Sequence, residues 1–554
     1  MAKKKCFIIT LTLLILSLSL VACSSHTKSI SEDIKDSVEG TGTTASTQAS
    51  EATQTPEIAQ TPQTTKEEDY SIMEFRNISL SKNRRPFNNY TNPLITQHYG
   101  ADPYAIEYDG RLYIYMTADA YEYDATGEIK ENSYGSIKTL YVISTDDMIN
   151  FTDHGEIKVA GPDGAAKWAH NSWAPAACWK NIDGKDKFFL YFADNGGGIG
   201  VLTADSPVGP FTDPLGHGLI TRQVPTCAEV TWLFDPAVLI DDDGQGYIYF
   251  GGGIPEGRVP NPGTARVCKL GADLISLDGD PVVIDSPYHF EDSGIHKFGN
   301  KYYYSYCTNW QVDAEGTAKY GFTNADIVTM VSDNPMGPFT YKEVILKNPG
   351  TKFKLYGNNH HCVFNYLGKW YITYHALTLQ QSLKVEKGYR STHIDCVDIA
   401  PDGTIGKIEM TYDGRTQLKN VDAYALNKAV TCALMNGGEC APADDIARAC
   451  GSGEMFVDKW NTGDYIKISG VDFGDTPATK ITLSAASTAA DTEIYFSVDN
   501  INTHIGGIAP TAVGSEEFRE FTANLVTPTS GVHDVYIICA NGTDVQLKSW
   551  KFER

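Results

Sequence analysis

Between residues 90 and 400 one pattern comes five times, and it restricts the possible folds more than any other feature of the chain. Each copy has a polar start, a short β-prone run, a turn with glycine and an aromatic-rich run. The first begins at Asp102-Pro103, turns at Asp109-Gly110 and continues through Tyr113 and Tyr115 to Met116. The second begins near Trp173-Ala174-Pro175, turns at Asp183-Gly184 and runs to Phe192. The third spans Asp235-Pro236, Gly244 and Phe250. The fourth spans Glu291-Asp292, Gly299 and Tyr306. The fifth spans Asn358-Asn359-His360-His361, Gly368 and His375. Each reads as a β-hairpin, because β-branched and aromatic runs flank a tight-turn signal. The copies start about 55 to 75 residues apart, which leaves room in each for two more strands. Outer-strand echoes occupy that space, as in Ser206-Pro207-Val208-Gly209-Pro210 and Asn334-Pro335-Met336-Gly337-Pro338. Five four-stranded units arranged radially predict a five-bladed β-propeller over residues 79–420, an all-β fold in which the inner strands begin at a common axis.

On that reading Asp102, Asp235 and Glu291 hold one position in copies one, three and four, with Trp173 and Asn358 in the other two. Asp235 sits in the apolar run Trp232 to Val238, where an ionised carboxylate is costly. One Asp-Pro pair is an ordinary turn signal; three acids at equivalent starts point to a shared pocket. Hydrolysis of a glycosidic bond needs one protonated carboxyl to protonate the leaving oxygen and one ionised carboxylate as base or nucleophile. Crowding and burial push such groups apart in pKa. Acids on different blades face each other across the axis, which favours the roughly 6.5–9.5 Å separation of inverting enzymes.

Five motifs, Gly100-Ala101-Asp102-Pro103-Tyr104, Ser172-Trp173-Ala174-Pro175, Trp232 to Ala237, Phe290-Glu291-Asp292-Ser293-Gly294 and Gly357 to His361, together resemble glycoside hydrolase family 43. They look most like its arabinoxylan arabinofuranohydrolases. The resemblance implies Asp102 as general base, Glu291 as general acid and Asp235 as the residue that tunes and orients Glu291. It also implies Trp173, Trp232, Trp310, Asn358 and Arg390 as lining for a pentose, with Trp310 standing where close relatives are expected to carry phenylalanine. No cofactor is implied for the chemistry. Some family members hold a calcium ion through waters near a histidine such as His360; neutral imidazole is itself a poor partner for that hard ion. The expected activity is release of α-L-arabinofuranosyl side chains from arabinoxylan or a related pentose polysaccharide. β-Xylosidase or arabinanase chemistry on the same scaffold is the nearest alternative, and a non-catalytic glycan-binding lipoprotein the remote one.

Short strands at regular spacing over residues 421–554 suggest a β-sandwich of jelly-roll type. The region resembles carbohydrate-binding module family 6. The positions matching that family's sugar site are Phe456, Phe518 or Phe521, and Gln546, with altered polar partners.

The N-terminus has a basic head, an apolar run from Phe7 to Val21 and the tetrapeptide Leu20-Val21-Ala22-Cys23. This reads as a secretory signal over residues 1–23 with a bacterial lipobox that lipidates Cys23. Residues 24–69 hold no Phe, Trp or Tyr, and a flexible tether is expected over 24–78. The expected location is the outer face of a bacterial membrane, held only by a lipid anchor, or the medium. Among the twelve cysteines, Cys432, Cys440 and Cys450 cluster, which in that setting points to a disulfide. The net charge of -24 argues against a nucleic-acid partner, whose footprint would be basic and patterned. A monomer is expected.

Overall fold

A computed structural model of the chain describes residues 68–85, 90–443, 453–510 and 517–554. The signal, Cys23, most of the expected tether and Cys450 lie outside the described residues.

Five antiparallel sheets follow one another. The first contains β1 (Ala101–Tyr108), β2 (Arg111–Thr117), β3 (Thr139–Thr145) and β4 (Phe151–Lys158). The second contains β5 (Trp173–Ile182), β6 (Lys185–Ala193) and β7 (Ile199–Ala204). The third contains β8 (Ala237–Ile240), β9 (Gly246–Phe250), β10 (Arg266–Lys269) and β11 (Val282–Val283). The fourth contains β12 (His289–Phe298), β13 (Lys301–Thr308), β14 (Ile327–Ser332) and β15 (Thr340–Leu346). The fifth contains β16 (His361–Tyr366), β17 (Lys369–Ala376) and β18 (Ser391–Val397). The first strands of the sheets neighbour each other in a closed cycle, β1 to β5 to β8 to β12 to β16 and back to β1.

The turn chemistry explains the hairpins. Asp109-Gly110 and Asp183-Gly184 carry φ values of 49° and 72°, and of 52° and 80°. Both central residues being left-handed matches the twist of the flanking strands. The abundant tyrosines tie sheets together. Tyr191 in β6 donates to the carbonyl of Leu274 at 2.6 Å, Tyr249 in β9 to that of Pro335 at 2.8 Å, and Tyr366 in β16 to that of Gly110 at 2.9 Å. Each ring fills the core between sheets while its hydroxyl meets a carbonyl of the next, so a buried polar tip is satisfied.

The C-terminal region forms two sheets. One is built on Tyr465–Asp472, Val532–Asn541, Glu493–Val498 and His504–Ile508. The other is built on Met455–Trp460, Val545–Glu553, Ala478–Ala486 and Arg519–Thr529. Side chains from both share a core around Trp460, Trp550, Phe473 and Ile537. Thr431–Cys432 pairs with β4, and Asn150 exchanges two 2.9 Å hydrogen bonds with the backbone of Ser469, so the first sheet is stitched to this region.

The tether ends earlier than its composition suggests. Ile72 donates its amide to Gly507 at 2.9 Å, Phe75 packs edge-on against Tyr495 at 5.0 Å, and Ile78 and Leu80 join the same cluster. Residues 70–78 therefore lie on the C-terminal sheets. Ile72, Phe75, Ile78 and Leu80 are apolar side chains set more densely than any in residues 24–69, and burying them offsets the cost of ordering the backbone.

All nine described cysteines, Cys432 and Cys440 included, are free thiols in this structure.

Candidate active site

The inner-strand starts carry a β-bulge. Register in β1 shifts between Ala101 and Tyr104, in β5 between Trp173 and Ala176, and in β12 between Glu291 and Gly294. The extra residue sits in the left-handed region each time: Asp102 at φ 48°, Ala174 at 40° and Asp292 at 68°. Asp235, just before β8, has φ 50°. The equivalent residues are thus Asp102, Ala174, Asp235 and Asp292. Glu291 is one place earlier and matches Ala101, Trp173 and Phe234. Equating Glu291 with Asp102 and Asp235 is an error of one residue. The signal that corrects it is the proline after the bulge, at 103, 175 and 236, where the fourth copy has Ser293. Bulges re-aim side chains. Here Trp173 with Ala174 and Phe234 with Asp235 both reach one cavity, while of the other two pairs only Asp102 and Glu291 line it, so an acid comes from either place.

That cavity, of 310 Å³, is lined by Asp102, Asp235, Glu291, Trp173, Trp232, Asn358 and Arg390. Seven of the eight residues expected there are brought together. Trp310, beyond β13, is 39% exposed and takes no part in the lining. Sequence reasoning missed Tyr134, Phe234 and Phe290, and gave His360 only a metal role. Trp232 meets Phe234 and Phe290 edge-on, each at 5.3 Å, and makes an apolar wall. Gly196 faces this wall; a Cβ there would stand 2.9 Å from the Trp232 ring, so only glycine fits. Trp173 donates Nε1–H to the Tyr134 carbonyl at 3.0 Å, which fixes the indole.

The three carboxyls have unlike surroundings. Asp102 Oδ1 accepts from Arg390 Nη1 at 2.8 Å, and Oδ2 from Thr117 Oγ1 at 2.7 Å. Burial pushes the Asp102 pKa up, but the Arg390 cation outweighs it and holds the group well below the usual carboxylate range. Glu291 is pushed well up by burial and by the charges of Asp235 and Asp102. Asp235 is pushed up by burial and by Asp102, against a 2.8 Å hydrogen bond from the Asp292 amide. Glu291 Oε1 meets no polar partner among the described residues, so the proton shared by these two rests on Glu291.

His360 stands between the acids. Its Nδ1 is 3.6 Å from Asp102 Oδ1 and 3.8 Å from Asp235 Oδ2, and its Nε2 is 3.2 Å from Asp292 Oδ1. Burial holds this imidazole below its ordinary pKa despite the carboxylates around it. Asp292 also accepts from the His361 amide at 3.0 Å. His375 accepts the Asp102 amide at Nδ1, 3.1 Å away, and donates from Nε2 to the Asn358 carbonyl at 2.9 Å.

On the C-terminal sheets Phe456 and Phe518 meet edge-on at 5.1 Å, and Gln546 donates to Asp458 at 3.1 Å. Phe521 is 3% exposed, inside the core and against Tyr70, so its face cannot receive a ligand. The reason is strand alternation: Phe521 points inward on the strand that begins beside Phe518.

An ionised carboxylate on an arginine, a carboxyl with raised proton affinity whose Oε1 has no polar partner among the described residues, and aromatic walls make a site for acid–base hydrolysis of a sugar bond. Similarity to known proteins agrees. Residues 435–554 match the model of carbohydrate binding module (family 6). The chain is 46% identical over 478 residues to an arabinoxylan arabinofuranohydrolase of Paenibacillus polymyxa, covering 83% of this chain and 74% of that protein. It is 44% identical over 484 residues to one of Bacillus subtilis (strain 168), covering 83% and 92%. A crystal structure of a family 43 arabinoxylan arabinofuranohydrolase from Bacillus subtilis, in complex with cellotetraose, superposes with a TM-score of 0.80 at 42% identity, over 85% of this chain and 99% of that one. The model of glycosyl hydrolases family 43, whose fold is a β-propeller, matches residues 90–405 and therefore all five motifs that build the cavity; the chain belongs to that family.

Proposed function

We propose that this protein is an inverting hydrolase that removes α-L-arabinofuranosyl side chains from arabinoxylan. The observation that carries the reading is the contrast between Asp102, held ionised by Arg390, and Glu291, whose buried Oε1 has no polar partner among the described residues, in one cavity. The names of the similar proteins supply the polymer. In this reading Asp102 takes the proton of the attacking water and Glu291 protonates the departing xylose oxygen. Asp235, with its negative charge, keeps the Glu291 proton in place. Trp173, Trp232 and Asn358 hold the arabinose, and Trp310 meets the polymer outside the cavity.

The five sheets in their closed cycle support a five-bladed propeller over 79–420, and the shared core of the two C-terminal sheets supports a jelly-roll module over 421–554. Phe456, Phe518 and Gln546 are the proposed sugar contacts of that module. The lipobox supports an extracellular lipoprotein, and a monomer is the simplest form of the chain. A structural calcium ion beside His360 would be held through water. The imidazole offers nitrogen to an ion that takes 6–8 oxygens, and both ring nitrogens face carboxylates.

The test is product analysis on arabinoxylan followed by proton NMR. Arabinose released with the β-anomer appearing first supports the reading. Release of xylose alone defeats the substrate, and first appearance of the α-anomer defeats the inverting mechanism.

A further inference from the structure

Asp119 lies just past β2, is 1% exposed, and has no role in the acid–base scheme. Its carboxylate grips Arg390 three times. Oδ2 accepts from the backbone amide and from Nε, each at 3.0 Å, and Oδ1 accepts from Nη2 at 2.8 Å. A guanidinium is planar and rigid, so fixing Nε and Nη2 fixes the direction of Nη1. That direction ends on Asp102 Oδ1 at 2.8 Å. The Tyr134 ring covers the guanidinium at 4.7 Å.

We propose that Asp119 is a positioning residue for the hydrolysis: it makes Arg390 meet Asp102 through one N–H rather than two. The inference rests on the reading of Asp102 as the base. An arginine left to itself meets a carboxylate side by side, with two parallel hydrogen bonds. Arg390 in that pose would take both oxygens of Asp102, displace Thr117 from Oδ2 and cover the lone pairs that a water needs. With Asp119 in place each oxygen of Asp102 receives one strong donor, Arg390 on Oδ1 and Thr117 on Oδ2. Thr117 is itself set, because its Oγ1 accepts the Ala174 amide at 2.8 Å. The base keeps its charge and an open side.

The test is steady-state kinetics of Asp119→Asn in the full chain, on whichever pentoside the wild type hydrolyses. Asparagine keeps the shape and offers one acceptor in place of two. Misaligning a reacting group by about 1 Å can cost roughly 100-fold. The expected result is a kcat lower by about that factor with KM within threefold of wild type. A kcat within twofold of wild type, or a loss confined to KM, overturns the proposal. The second comparison is Arg390→Met against Asp119→Asn/Arg390→Met, which does not depend on the single Asp119 variant folding. Arg390→Met leaves the buried Asp119 and Asp102 carboxylates without their cation and the double variant removes the Asp119 charge, so both are first checked for folding by circular dichroism. A positioning residue acts only through Arg390, so the two should agree in kcat within twofold; a further loss in the double variant overturns the proposal. The wild-type product separately tests the function, so the two failures stay distinct.

Discussion

The Asp292 amide donates to Asp235 Oδ2 at 2.8 Å, while the neighbouring Glu291 carboxyl has an oxygen, Oε1, with no polar partner among the described residues. A hydrogen bond from an amide favours the ionised form of its acceptor. The proton held by this pair therefore belongs on Glu291, and Glu291→Gln should lower kcat on arabinoxylan by about 10²–10⁴-fold, the usual worth of a general acid. The loss should shrink on an aryl arabinofuranoside whose phenol leaves without help. Equal losses on both substrates would remove Glu291 from the acid role.

The pH profile follows from the two opposite shifts. Asp102 is held low, so its ionised form persists above that low pKa and is lost as pH falls through it. Glu291 is held high, so its proton is present at neutral pH and is lost as pH rises through the raised value. The profile of kcat/KM should be a bell whose acid limb reports Asp102 and whose alkaline limb reports Glu291. Thr117→Val removes a donor to ionised Asp102. Because the wild-type acid limb lies below the usual carboxylate range, the variant should lose more kcat/KM than wild type toward pH 3 and share its alkaline limb up to pH 9.

The repeat made most of this site legible. A hairpin with a tight Asp-Gly turn announces itself in a few residues, and five of them fix the sheets. Asp102, Asp235, Trp173 and Asn358 sit at hairpin starts, so periodicity alone carried them to the cavity. Glu291 was found for the right reason in the wrong register, because a bulge adds one residue and periodicity cannot count it. Asp119, Tyr134 and His375 escaped. They reach the site from strand ends and loops, where no period links a residue to its contacts, and their partners lie 271, 39 and 273 positions away. Trp310 was expected from resemblance rather than periodicity, and it lies beyond the strand that would have aimed it.

The N-terminal strap should matter to the C-terminal sheets and not to the chemistry. Phe75 packs on Tyr495 and His504, at 5.0 and 4.9 Å, and neither of these lines the cavity. Phe75→Ala removes a half-buried ring and should cost roughly 1–2 kcal/mol of stability. A urea midpoint followed by far-ultraviolet circular dichroism measures it, with kcat unchanged as the companion result. A start point moved from residue 68 to 82 should lower the midpoint further. A midpoint unmoved by either change would make residues 70–80 an unattached lead-in.

Phe518 and Phe521 stand three residues apart and should fail in different ways. Phe521 is enclosed by the sandwich core and Tyr70, so Phe521→Ala should cost about 3–5 kcal/mol through the cavity it leaves. Phe518 is half-buried, edge-on to Phe456, with the Lys548 ammonium 5.6 Å from its ring. Phe518→Ala should leave the melting temperature within about 2 °C, since a change at a partly exposed site is worth little. If this face holds polymer, the same variant should migrate faster than wild type in affinity electrophoresis through gels containing xylan. Retention equal to wild type, with Phe456→Ala behaving alike, would leave the module a structural appendage of the propeller.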